Sequence, residues 1–413
     1  MSKPAPESVL ITAAQVITSF DPPGVLPNSA VGVRNGRIDW VGNRHEASPE
    51  KYQQHLDVGG TIMPGLIDAH VHLAFDSQEA DPVAHAVSIS PEALNGTIAD
   101  NAARFLRSGV TTVRDLGSPP GTVLEFGRSV QNGFAAGPTV IASDHPLTRP
   151  RGHLWAFGGQ VDTVRGADSA VSHLAAAGAK VIKVMVTGGR MTAGTSPVAV
   201  EFRPDLLSAV VARAHAEGLS VAAHSLCAEG VRAAVAAGVD TIEHGTFIEA
   251  DGTPSPEARA MELARQIADA GTFVCPTLHD AHPHPISFEQ RGQWVRTLWE
   301  QGARIILGND TGIPGLPPEQ YWGGIHALEM AGMSREAVLH AATGMPALAM
   351  GISAEVGGLA VGMRADLLVV DGNPIADLRH LQRPTLVMAR GLITSPQSQS
   401  EEDPWQASPS SRR

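Results

Sequence analysis

Cysteine is nearly missing: the 413 residues hold two, Cys227 and Cys275. Two thiols cannot build a disulfide framework, so a reducing compartment, the cytoplasm, is the expected location. Both are expected to be buried and inert. Long apolar runs are missing as well, since no stretch reaches the ~18 residues of a membrane span. The apolar stretch from Val9 to Ile17 is broken by Thr12 and Gln15 and closed by Asp21-Pro-Pro-Gly24, so it reads as a β-strand and a turn. A signal peptide would need a basic start, a longer apolar run and a small-residue cleavage site. Positive charge is also short: 30 Lys and Arg face 42 Asp and Glu, a net charge of −12. That balance excludes nucleic acid and anionic membranes as main partners, because both reward clustered cations. A small-molecule substrate is the expectation that remains, in a closed homo-oligomer by base rate.

Apolar residues make up 43 % and charged residues 17 %, which provides a sizeable core. The 43 glycines and 30 prolines recur as punctuation between apolar segments. The first sixty residues read as strands and turns, with Asn35-Gly36 between two apolar runs as a hairpin signal. From Pro64 onward, short apolar runs alternate with Ala-rich amphipathic stretches, a βα rhythm that implies a parallel sheet. Eight strands are predicted at 66–72, 110–115, 139–142, 181–186, 220–224, 240–244, 272–276 and 304–310. Ala177-Gly178, Ala237-Gly238 and Ala270-Gly271 read as helix ends before several of them. Eight strands in about 300 residues match a (β/α)₈ TIM barrel. Ala365–Asp371 and Thr385–Ile393 read as late strands that pair with the first ones. The expected organisation is α/β: residues 1–63 as the N-terminal part of a small flanking β-sandwich, 64–356 as the barrel, 357–396 as the rest of the sandwich, and 397–413 as a flexible tail.

The chemistry-bearing residues stand at strand ends, where barrel enzymes place catalysis. His70 and His72 are two apart on the first strand and share a face, so both imidazoles can reach one metal. Lys183 lies inside the apolar run Val181–Val186. A buried unpaired ammonium is costly, so either it reaches the rim or its amine is modified. Desolvation lowers an amine's pKa and makes it reactive towards CO₂; the resulting carbamate would bridge two metals. His224 and His244 end the fifth and sixth strands. Asp310 after the eighth reads either as a helix cap or as a metal ligand that also holds a proton.

In this order, His70-x-His72, Lys183, His224, His244 and Asp310 resemble the two-metal subtype of the amidohydrolase superfamily. Met63-Pro-Gly-Leu-Ile-Asp-Ala-His-Val-His72 and the late Gly362-Met-Arg-Ala-Asp-Leu-Leu-Val369 resemble its opening and closing phrases. Ile182-Lys-Val-Met-Val-Thr-Gly-Gly189 and Ile242-Glu-His-Gly-Thr246 are similar to the imidazolonepropionase-like and prolidase-like branch. The resemblance implies two divalent metal ions, Zn²⁺ by first choice. His70, His72 and Asp310 would hold one, His224 and His244 the other, with Lys183 as N6-carboxylysine between them. It implies hydrolysis of an amide C–N bond, in an N-acyl amino acid or dipeptide-like molecule, by a metal-bridging hydroxide with Asp310 as proton shuttle. His153, in Arg151-Gly-His153, would touch the substrate or stabilise its oxyanion. After His224 the chain reads Ser225-Leu226-Cys227, where many relatives carry another ring residue and a glycine.

Arg151, Arg190 and Arg203 are candidates for a substrate carboxylate, and Tyr321-Trp322 for a rim or lid. His279, His282 and His284 read as a solvated loop. The rival enzyme readings are a one-metal deaminase and a cyclic amide or lactone hydrolase; Lys183 argues against the one-metal site. A non-catalytic barrel scaffold would have lost ligands, and here every ligand type is present.

Overall fold

In the computed structural model, residues 8–281 and 284–394 are described. The tail at 397–413 and His282 therefore lie outside the described residues. The chain opens with β1 (Ser8–Phe20), β2 (Pro23–Arg34) and β3 (Arg37–Asn43), joined as antiparallel hairpins. Asn35 and Gly36 turn the second hairpin at φ +51° and +77°, the left-handed pair that a tight two-residue loop demands. β4 (Gln54–Asp57) and β5 (Thr61–Pro64) run parallel to β1.

Two parallel sheets follow. One contains β6 (Leu66–Val71), β7 (Val110–Asp115) and β8 (Thr139–Ala142). The other contains β9 (Val181–Met185), β10 (Ser220–Ser225), β11 (Thr241–His244), β12 (Phe273–Cys275) and β13 (Arg304–Ile305). These eight match the expected strands in place, though β13 is much shorter than 304–310. Backbone hydrogen bonds cross both gaps between the sheets. Leu147 N–H donates to Lys183 O at 2.7 Å and Met185 N–H to Leu147 O at 2.9 Å. On the other side Ala69 N–H donates to Leu307 O at 2.9 Å, and His72 N–H to Thr311 O at 2.8 Å.

Helices separate successive strands and end as the Ala-Gly phrases predict. Gly178, Gly238 and Gly271 close the helices at Val164–Ala177, Ala228–Ala237 and Glu257–Ala270 in the left-handed conformation. The parallel strands β6, β7 and β9 are buried along their whole length, so their polar residues are buried with the apolar ones. The large core runs through this region, with Ile182, Val184, Val221, Ile242 and Val274 all buried.

The chain finishes with β14 (Leu367–Val370), β15 (Leu386–Ala389) and β16 (Leu392–Thr394). β14 pairs antiparallel with β5, which joins the two chain ends in one eight-stranded mixed sheet. The hydrogen bonding describes a single sheet here, where the sequence suggested the two layers of a sandwich. Val9, Ile11, Val31, Leu367 and Val369 form its own apolar cluster. The architecture is mixed α/β, and no helix among the described residues is long and apolar enough to cross a membrane.

Candidate metal centre and active site

The carboxyl ends of β6, β9, β10 and β11 and the segment after β13 converge on one cavity of about 240 Å³. His70, His72, Lys183, His224, His244, Asp310 and His153 all line it. The imidazoles lie within touching range: ring centres are 5.5 Å apart for His70 and His72, 5.3 Å for His70 and His244, and 4.6 Å for His224 and His244.

Each ring is oriented by a bond from its outer nitrogen. His70 Nδ1 is 2.8 Å from the Glu243 carboxylate, and His72 Nδ1 is 2.9 Å from Gly117 O. Both partners accept only, so both Nδ1 atoms carry the hydrogen and both neutral Nε2 atoms are bare. Those bare nitrogens stand 3.3 and 3.2 Å from Asp310 Oδ1. Three lone-pair atoms thus face one another in a buried place, an arrangement that calls for positive charge between them. His72 responds in that sense. Burial disfavours its imidazolium, yet Asp310, Asp115 and Gly117 O together outweigh burial and raise its pKa.

The second pair repeats the pattern. His224 Nε2 donates to Gly188 O at 3.2 Å, and His244 Nδ1 meets Thr277 Oγ1 at 2.9 Å. Their inner nitrogens, His224 Nδ1 and His244 Nε2, are 2.8 Å apart, a gap that holds a proton unless a cation takes its place. Lys183 Nζ is buried and has no hydrogen-bond partner. Burial pulls its pKa down to about 8, against the opposing pull of Glu243 and Asp310. Bare acceptors on four strand ends and an orphaned amine beside them have the chemistry of divalent-metal ligands. His244 and Asp310 both sit in the left-handed backbone region, at φ +66° and +61°. Strain of that kind, of order 1–3 kcal/mol per residue, persists where the surroundings fix a functional side chain.

His153 is 3 % exposed and its ring centre lies 4.9 Å from that of His224. The Thr192 hydroxyl accepts from Leu154 N–H and stands 3.1 Å from His153 Nδ1. A Cβ on Gly189 would meet the His153 ring at 2.3 Å, so the glycine leaves that ring its room.

Other sequence candidates are placed elsewhere. Tyr321 is buried and donates its hydroxyl to Ile67 O at 2.8 Å; it does not line the cavity, so a substrate contact through it is corrected to a packing role. Trp322 stacks on His326 instead of covering the cavity. Arg151 is exposed and also absent from the lining, because its left-handed backbone, φ +57°, sits in a turn pinned to Gln160. Arg203 is exposed and paired with Asp205. Only Arg190 of the three arginines lines the cavity. His279 is buried rather than solvated, bonded to Gln320 O, while His284 lines the cavity. Cys227 and Cys275 are both buried.

Three residues in or behind the site escaped the sequence reading. Glu243 accepts from His70 and from Arg114 Nη2 at 2.7 Å, and Arg114 also donates to Ala69 O and Thr241 Oγ1. Both are under 2 % exposed. Burial alone would raise the Glu243 pKa, but Arg114 and His70 hold it far below the ordinary carboxylate range. The signal was available: like Lys183, each is a charged residue inside an apolar strand. Arg291, on the helix Phe288–Glu300, is the third, and it lines the cavity.

Comparison with known proteins agrees with this geometry. Residues 61–394 match the amidohydrolase family. Ochratoxinase from Aspergillus niger is 26 % identical over 408 residues, covering 88 % of this chain and 81 % of that protein. Its crystal structure superposes with a TM-score of 0.79 at 25 % identity, over 95 % of this chain and 96 % of that one. A Xaa-Pro dipeptidase with bound methionine in its active site gives a TM-score of 0.82 at 25 % identity, over 94 % of this chain and all of that one. A shorter stretch of 62 residues, 14 % of this chain and 15 % of that protein, is 45 % identical to imidazolonepropionase from Shewanella frigidimarina. The chain belongs to the amidohydrolase family and is a hydrolase acting on carbon–nitrogen bonds.

Proposed function

We propose that this chain hydrolyses the amide bond of a small N-acyl amino acid or dipeptide-like substrate at a two-metal centre. One observation carries the reading: seven chemistry-bearing side chains, from His70 to Asp310, line one cavity while Lys183 Nζ has no partner in it. The relatives support the substrate class, since a dipeptidase cleaves next to an amino acid and the similar Xaa-Pro dipeptidase holds methionine in its active site. The two parallel sheets are taken as arcs of one (β/α)₈ barrel, supported by the bonds that cross both gaps between them.

His70, His72 and Asp310 would hold one ion, and His224 and His244 the other. The neutral Lys183 amine adds CO₂ and releases one proton, leaving an anionic carbamate between the two sites. Bound divalent ions supply Lewis acidity towards a carbonyl and a water of lowered pKa. The chain's own residues do the rest. Asp310 accepts the proton of the attacking water and returns it to the leaving nitrogen. The Thr192 hydroxyl, directed at His153 Nδ1, leaves the hydrogen on Nε2, which donates to the oxygen that gains charge. His153 can serve that way because burial and the nearby Lys183 pull its pKa down to about 3, keeping the ring neutral.

The test is Asp310→Asn in zinc-loaded protein, with N-acyl amino acids and dipeptides as substrates. The variant is expected to keep two ions per chain and lose about 10²–10⁴-fold in kcat. Near-normal turnover would remove Asp310 as shuttle, and one ion per active chain would remove the two-metal centre.

A further inference from the structure

The cavity contains a second kind of chemistry that the metal ligands do not use. Arg190, in the segment after β9, and Arg291, on the helix after β12, both line it. Arg291 is 7 % exposed, its Nε is buried without a partner, and its side chain forms no hydrogen bond or ion pair among the described residues. Arg190 likewise has no carboxylate partner among the described residues, although it is exposed. Most other arginines among the described residues meet a carboxylate or a carbonyl oxygen, as Arg104, Arg149 and Arg364 do. Burial first, and the Arg190 charge second, draw the Arg291 pKa down to about 10. A protein with a net charge of −12 has no shortage of acids to place there. Two unneutralised cations facing one cavity destabilise the free chain, and an incoming anion relieves both the repulsion and the unsatisfied Nε.

We propose that Arg190 and Arg291 form a carboxylate clamp, so that the substrate carries a free carboxylate beside the bond that is cleaved. Guanidinium suits the task because its planar fork binds both oxygens of a carboxylate. Leu154, Met185, Met191, Leu226 and Ile313 also line the cavity and supply an apolar surface for the remainder of the molecule. What the carboxylate is attached to rests on the amide-hydrolase reading; the clamp itself does not.

The experiment reads binding and not turnover. Zinc-loaded full-length protein is titrated calorimetrically with 4-phenylbutanoate and with the neutral 4-phenylbutan-1-ol, neither of which has a bond to hydrolyse. The acid is expected to bind about tenfold or more tighter than the alcohol. That ratio is expected to fall towards one in Arg190→Gln and in Arg291→Met. Arg291 is buried, so its replacement carries a folding risk; Arg190 is exposed and its variant decides the matter alone. Equal affinity for acid and alcohol in the parent, or an unchanged ratio in Arg190→Gln, overturns the clamp. A chain that discriminates in this way but hydrolyses no amide overturns the proposed function and leaves the clamp standing.

Discussion

Glu243 ties His70 to the buried Arg114 and Thr241. One of its oxygens takes the His70 N–H and the other takes Arg114 and Thr241. It thereby fixes the His70 tautomer and aims Nε2 at Asp310. Glu243→Gln is expected to weaken metal binding about 10–100-fold, read by competition with a chromophoric chelator. It also leaves the buried Arg114 without an anion, a loss of about 3–5 kcal/mol in urea unfolding. The double variant Glu243→Leu/Arg114→Met removes both charges, so it should regain stability yet keep the metal defect. If Glu243→Gln binds metal normally, Glu243 is a structural charge and no more. The sequence exposed His70, Lys183 and Asp310 because each is an unexpected polar residue beside an apolar strand. It marked Arg114 and Glu243 each as a charge inside an apolar strand but hid their pairing, because the partners are 129 positions apart. Tyr321 misled for a related reason. An aromatic after a proline-rich loop reads as a rim, but its hydroxyl reaches Ile67 O across 254 positions.

At the scale of elements, the strand ends were legible and their lengths less so. β13 has two ladder residues, Arg304 and Ile305, although the apolar run continues to Leu307. After Ile306 bonds to β12, Leu307 N–H turns to Ala341 O, and the chain then passes Asp310 N–H to His70 O. The segment leaves one neighbour for another, a change that no hydrophobic pattern records. Gly308 permits it. A Cβ there would meet Cys275 Sγ at 2.6 Å and His70 N at 2.6 Å. Neither neighbour can yield easily: one is a buried side chain and the other is backbone. Gly308→Ala is expected to destabilise the fold by about 1–3 kcal/mol, as overpacked cores do. The urea midpoint should fall while the slope stays constant. Adding Cys275→Ala removes one of the two obstacles and should recover part of the loss. A Gly308→Ala chain as stable as the parent would show that this crossing has room to spare.

At the scale of the whole molecule, the proposed metal centre sits where the two parallel sheets meet. His70 and His72 come from the first sheet, while Lys183, His224 and His244 come from the second. Asp310 follows β13 and bonds back to β6. The unfolded chain cannot gather these groups, so a metal held there would bind the native state and stabilise it by mass action, by about 2.7 kcal/mol at 100 times Kd. The free protein has the opposite problem: three bare acceptor atoms of His70, His72 and Asp310 face one another across the seam. Treating the protein with a strong chelator is therefore expected to lower the melting midpoint by several degrees, and zinc should restore it with a shift that grows with the logarithm of its concentration. His72→Ala should lower the midpoint of the free protein less than expected for a buried residue, because it removes one of the crowded acceptors, and it should abolish most of the zinc response. Arg203→Gln, exposed and remote from the cavity, should respond to zinc like the parent. Hydrogen exchange locates the effect: chelation should loosen the amides of His72 and Asp310, which cross the seam, before those of β10. If zinc, manganese and cobalt all leave the midpoint where the chelator put it, the acceptors are satisfied by protons alone.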